Sequence, residues 1–176
     1  MPQTASITHR ATGRPASVGA RMRISERVDN AVRAMAELAA ADGSAVKAET
    51  IASRHDMSLR YLLDILRELK RAELVRSRRG PEGGFTLSRP AEDISLADVF
   101  RAVDGPLADV HDESLRDLRY APPAQDLPEV WMAIRGSLRR VLERVALSDL
   151  INGDLPDDVR ALADEYRRTT AARYPR

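Results

Sequence analysis

IASRHDMSLRYLLDILRELKRAELVRSRRGPEGGFTLSRP, residues 51–90, decides the fold. Ile51 and Ala52 are the apolar positions of a short helix around 48–54, and His55-Asp56-Met57 breaks its pattern. Ser58 opens a further helix in which Leu59, Leu62, Leu63, Leu66 and Leu69 line one side. Two short helices separated by about three residues, the second led by a serine and polar positions, make a helix-turn-helix pattern. Residues 74–78 then read as a strand, Gly80-Pro81-Glu82-Gly83-Gly84 as a turn, and 85–88 as a returning strand. A helix-turn-helix followed directly by a glycine-rich hairpin is a winged helix. The expected fold is mainly α with a small β-hairpin.

Upstream, Ser25 can cap a helix carrying Glu26 and Asp29 in its first turn. Val28, Val32, Met35, Ala36, Leu38 and Ala39 recur at helical spacing until Asp42-Gly43 stops the pattern. Residues 1–21 are rich in Ser, Thr, Ala, Gly and Pro without a hydrophobic period, and read as a disordered arm. Met22 offers an alternative start. The winged helix-turn-helix domain is placed at 22–103, its last helix capped by Ser95 with Asp98 as a capping-box partner.

Downstream, 104–125 reads as an irregular connector. Asp126 and Glu129 are spaced like a second capping box. From there Leu127, Val130, Trp131, Ile134, Leu138, Val141, Leu142 and Val145 form a narrow apolar stripe opposite Arg135, Arg139, Arg140, Glu143 and Arg144. A helix of about 22 residues would run about 33 Å, longer than the winged body needs. Its seam is expected to pack on the twin helix of a second protomer, the alternative being a helix folded back on its own domain. This dimerisation helix region covers 126–152. A C-terminal helix and tail occupy 153–176, with Asp157 and Asp158 at the helix start and Arg167 and Arg168 at its end, matching the dipole. Val159, Leu162 and Tyr166 suggest that this helix docks on the dimer.

Charge is unevenly spread along a chain whose net value is only +1. Residues 1–24 carry four arginines and no acids, 54–89 carry nine basic against five acidic groups, and 91–176 carry twelve against seventeen. That suits a polyanion-facing front and an acidic back, although charge blocks are often only solvated surface. With no cysteine, disulfides, zinc fingers and thiolate-bound clusters are excluded. No apolar run approaches membrane-spanning length and no secretory leader is evident, so a cytoplasmic protein without membrane contact is expected. No nucleophile–base pair, phosphate loop or metal motif points to an enzyme.

Three stretches resemble one family, the IscR/NsrR regulators (the Rrf-two family): MRISERVDNAVRAMAELA from Met22, the 51–90 segment with its SLRYL and RGPEGGF, and ISLADVFRAVDGPL at 94–107. The resemblance is close over 22–107 and looser through Trp131 and LSDL at 147–150. It implies a sequence-specific transcriptional regulator, a repressor, that binds a palindromic operator in double-stranded DNA as a homodimer. It implies that Ser58, Arg60 and Tyr61 are recognition-helix contacts in the major groove, with Leu59 beside them, and that Arg79 is the wing's minor-groove reader. Hydroxyl and guanidinium groups at a helix start suit phosphates and base edges, and an arginine at a hairpin tip suits a narrow minor groove. Gly80 and Gly83 belong to the same tip, where Gly83 and Gly84 allow a tight turn and close backbone approach. Arg76 and Arg78 would flank this as phosphate contacts. Tyr61 can equally pack across the first helix, and Arg76, Arg78 and Arg89 can equally be solvated.

Cluster-binding members carry three cysteines in the connector, and this chain has none. His111 lies near the expected first ligand, among Asp109, Asp112 and Glu113, but a lone histidine in an acidic loop is usually no metal site. No cofactor is expected. Response to a small-molecule or protein effector is the remaining regulatory route, with Trp131, Tyr120 and His111 near a candidate ligand position, or Trp131 serving simply as a core anchor. The competing reading is a winged-helix protein-interaction module; Glu82, where family members typically have glycine, lowers the wing's basicity.

Overall fold

A computed structural model describes residues 24–105 and 119–173. The N-terminal arm and the connector segment 106–118, with Asp109, His111, Asp112 and Glu113, lie outside the described residues. Helix α1 (Glu26–Ala40) starts where Ser25 Oγ accepts the Val28 N–H at 3.1 Å and ends before Asp42 and Gly43, both at positive φ. Its buried Val28, Ala31, Ala34, Met35 and Leu38 recur every three or four residues and form the floor of the core. Helix α2 (Ala48–Arg54) adds Ile51 and Ala52, and α3 (Leu59–Arg71) adds Leu62, Ile65, Leu66 and Leu69.

Strands β1 (Val75–Arg78) and β2 (Gly84–Leu87) pair antiparallel, from Val75 opposite Leu87 to Arg78 opposite Gly84. The hairpin is also pinned to the α1–α2 loop, because Val46 and Phe85 exchange both backbone hydrogen bonds at 2.9 and 2.8 Å. At Gly84 a Cβ would stand 2.5 Å from the Val46 carbonyl oxygen, so only glycine admits this approach. Helix α4 (Leu96–Asp104) begins with the expected capping box, Asp98 N–H to Ser95 Oγ at 3.2 Å and Ser95 N–H to Asp98 Oδ2 at 3.1 Å. Among the described residues no helix is long and apolar enough to cross a membrane.

Beyond the winged unit the expectations need three corrections. The long helix α5 (Leu127–Arg144) has 18 residues, about 27 Å, rather than 22. Asp126 makes no side-chain cap. It is already in a helical conformation, reached through a turn in which Leu127 N–H bonds to Ala124, and Pro128 removes one of the amides a cap would satisfy. Finally, Val145 is not part of the helical seam. It is extended and 3% exposed, because residues 94–96 and 145–147 meet in a single antiparallel bridge centred on Ser95 and Ala146: Leu96 N–H to Val145 and Leu147 N–H to Ile94, both at 2.9 Å. Val145 is thereby withdrawn into the chain's own core and is unavailable to a partner.

After that pairing, α6 (Leu147–Asn152) packs on α1, and α7 (Asp157–Arg173) follows. Leu162 and Tyr166 of α7 remain exposed in the single chain. The join at 94–96/145–147 is therefore the point at which the C-terminal arm is fastened to the winged body. Leu147 is fully buried there, whereas its neighbour Leu150 is exposed. Leu147→Ala is expected to lower unfolding stability by about 2–5 kcal/mol and Leu150→Ala by no more than about 0.5 kcal/mol, measured by urea denaturation; equal losses would contradict this placement.

Candidate nucleic-acid interface

Helix α3 turns Leu62, Ile65, Leu66 and Leu69 inward, which leaves Arg60, Arg67 and Arg71 facing solvent. Ser58 caps it, its Oγ accepting the Tyr61 N–H at 3.2 Å. The stripe read from the sequence was too wide: Leu59 and Leu63, expected on the buried side, are each 37% exposed. Tyr61 is half-buried against the core and lines a cleft with Asp29, Asn30 and Arg33 of α1, so packing across the first helix is realised. An Arg27–Glu68 ion pair at 2.6 Å fastens α1 to α3, and the hydrogen bond to Glu68 raises the Arg27 guanidinium above its usual value. Arg67 is paired with Asp64 at 2.6 Å, while Arg60 has no partner among the described residues.

The wing holds Arg76, Arg78 and Arg79 exposed, without ion-pair partners among the described residues. Its tip closes through the Gly83 N–H to the Gly80 carbonyl at 2.9 Å. Gly83 is buried, and a Cβ there would lie 2.5 Å from the Arg78 carbonyl oxygen and 2.7 Å from that of Gly80. The tip backbone is thus folded under, which pushes Arg79 and Glu82 outward. Lys70, at the end of α3, donates to Ser77 Oγ of β1 at 2.6 Å and fixes α3 relative to the wing.

Two polar clusters escaped the sequence reading. Arg89 is neither free nor merely solvated: it donates to the Asp93 carbonyl and to Asp98, each at 3.0 Å, clamping the end of the wing to the start of α4. Glu37 of α1 receives Arg54 at 2.5 Å and faces His55 Nε2 at 3.1 Å, locking the helix-turn-helix corner onto α1. Neither pairing leaves a local signal, since Glu37 is separated by 17 and 18 positions from its partners. On the other side of the molecule, Glu143 of α5 binds Arg139 at 2.8 Å and Arg101 of α4, and these hydrogen bonds hold its carboxyl below the usual range. Trp131 is only half-buried, yet its indole N–H is shielded and has no acceptor among the described residues.

A capped helix-turn-helix, an arginine-rich wing and a long helix after a connector are the parts of one regulator architecture. The Rrf2 family model, described as an iron-dependent transcriptional regulator, matches residues 24–153. The chain belongs to the Rrf2 family. It is 47% identical over 154 residues to a Mycobacterium tuberculosis (strain ATCC 25618 / H37Rv) protein whose name, Rv1287, is given as an HTH-type transcriptional regulator, covering 87% of this chain and 96% of that one. It is 31% identical over 139 residues to the HTH-type transcriptional regulator IscR of Cereibacter sphaeroides, covering 76% and 90%. Among solved structures it is similar to CymR, the global cysteine regulator of B. subtilis, with TM-score 0.63 and 31% identity over 75% of this chain and 98% of that one. The fold and the family are those of winged-helix transcriptional regulators rather than enzymes, and α7 lies beyond the family match.

The family's description implies iron, and the donors of this Rrf2 chain can be tested against it. No cysteine is present, and no group of three or more His, Asp or Glu able to hold a metal occurs among the described residues. They do not fit a thiolate-held cluster.

The wing geometry makes a direct prediction. Gly83→Ala forces the tip to open, so amide hydrogen exchange should accelerate in β1 and β2 while the amides of α1 keep their protection. Unchanged exchange in the wing would contradict the tight tip.

Proposed function

We propose that this Rrf2 protein is a sequence-specific repressor that binds a palindromic operator as a homodimer, in the cytoplasm and without an iron–sulfur cluster. The observation that carries the reading is a rigid pair of cationic elements. Arg60 at the start of α3 and Arg76, Arg78 and Arg79 on the wing, all without partners among the described residues, belong to one unit held by Lys70–Ser77 and Val46–Phe85. In this reading the start of α3 enters the major groove, where Ser58 and Arg60 meet phosphates and base edges. Arg79 enters the adjoining minor groove, whose negative potential attracts a guanidinium, and Arg76 and Arg78 neutralise flanking phosphates.

The dimer is supported by α5. None of its residues is fully buried, although Leu127, Val130, Trp131, Ile134, Leu138, Val141 and Leu142 repeat along one stripe. An 18-residue helix whose seam is only partly covered by its own chain gains stability from a partner, and the twin helix is the symmetric solution. Two copies then present two α3–wing units to half-sites about one DNA turn apart. Repression follows from occupying such an operator. Freedom from a cluster follows from the absence of thiolates. Control by an effector bound between the winged domain and α5 is favoured by one observation, the shielded Trp131 N–H that lacks an acceptor among the described residues.

Arg79→Ala should weaken specific operator binding about tenfold to a hundredfold while the dimer persists, measured by fluorescence anisotropy; unchanged affinity would remove Arg79 from the interface. Replacing Ile134 and Leu138 together by aspartate should give monomers by light scattering with the winged domain still folded by circular dichroism. A variant that remains dimeric would refute the α5 seam.

A further inference from the structure

The recognition helix carries a feature that charge does not explain. Leu59 and Leu63 are among the exposed large hydrophobic residues of the protein, each at 37%. At 3.6 residues per turn, Leu59, Leu63 and Lys70 fall within about 40° of one another, so they form a single row along α3. Lys70 at the lower end of that row reaches Ser77 of the wing. The row therefore runs along the flank of α3 that faces the wing, beside Arg60 and away from the Tyr61–Glu68 flank that packs on α1.

We infer that Leu59 and Leu63 are specificity-determining residues that contact the 5-methyl groups of thymines in the operator. The inference rests on the proposed function, which sets α3 in the major groove. Thymine is the only base that presents an apolar group there, and apolar side chains read it by contact. Two leucines one turn apart span about 6 Å along the helix, enough to meet methyls on neighbouring base pairs. A helix that docks in a protein groove uses a longer series of anchors at i, i+3, i+4 and i+7. Here only Leu59 and Leu63 of that series are exposed, because Leu62 and Leu66, the i+3 and i+7 positions, are buried in the chain's own core, and Asp64–Arg67 occupies the adjacent face. The pairing of Arg67 with Asp64 also leaves Arg60 as the unpartnered cation of the helix start, so base discrimination beside it falls to the leucines.

The test uses the full chain and a duplex consensus that it selects from a random pool. Each thymine of the consensus is replaced in turn by deoxyuridine, which deletes one methyl and keeps every hydrogen-bonding group. Binding is read by anisotropy for the natural sequence, Leu63→Ala, Leu59→Ala and Leu63→Met. The expected result is a rise in Kd of about fourfold per critical methyl at one or two thymines of each half-site. That penalty should vanish at one such thymine in Leu63→Ala, survive in Leu63→Met, and survive in Arg79→Ala. Leu63→Ala keeps the helix, alanine being the best helix former, and its melting temperature verifies this. Deoxyuridine tolerated at every thymine, or a penalty equally large in both alanine variants, would overturn the inference while leaving sequence-specific binding intact. A pool that yields no consensus would overturn the DNA-binding reading and the inference with it.

Discussion

Everything in this molecule depends on the two-sidedness of α3. Leu62, Ile65, Leu66 and Leu69 are completely buried, and they join α1, α2 and β1 into one core. Burying one such side chain contributes about 1.5–3 kcal/mol, so the four together hold the helix far more firmly than any surface ion pair could. The same packing fixes the rotation of the helix about its axis. Arg60 and the Leu59–Leu63 row face outward because the other positions of the 3.6-residue repeat are already committed to the core. A one-residue rotation would bury charged side chains, Arg67 and Lys70 in one sense or Asp64 and Glu68 in the other, and the cost of burying such charges forbids it.

The wing inherits its position from that helix. The chain leaves α3 through Glu73, at positive φ, and enters β1 directly. Two further links remove the remaining freedom: Lys70–Ser77 from the helix side, and the Val46–Phe85 exchange from the α1–α2 loop. Arg89 closes the other end of the hairpin onto Asp98, which is also the capping-box residue of α4. Helix α3 and the wing are thus one body. In the proposed function, such preorganisation lowers the entropic cost of placing both elements on a duplex at once. The acidic C-terminal half, fastened through the 94–96/145–147 pairing, lies on α1 and α4 rather than on the arginine-bearing elements.

Much of this was legible in the residues. Ser25, Ser58 and Ser95 marked three helix starts correctly because a side-chain oxygen at the N-cap is a local, short-range requirement. RGPEGG marked the hairpin because a tight tip needs residues without a Cβ clash, and Gly83 and Gly84 meet that need. Most of what escaped is set by packing and by partners that no local pattern shows. Leucines at 59 and 63 look like core by composition, and only the docking angle of α3 turns them outward. Val145 continues the α5 pattern in sequence, yet its pairing with 94–96 draws it into the core. Asp126 and Glu129 have capping-box spacing, but Pro128 and the preceding turn place the chain in a helical path before the cap can form. The contacts of Arg89 and Glu37 are invisible to any periodicity.

The central claim is that this body reads DNA sequence rather than charge. It is tested most directly by anisotropy of the purified protein on DNA from its own upstream region. The titration is run with excess unrelated competitor DNA at several salt concentrations. The account predicts binding that survives competitor and weakens with salt only along the linear log–log slope expected for a few phosphate contacts. Binding that competitor abolishes and moderate salt eliminates would mean that only charge is being sensed, and would contradict it.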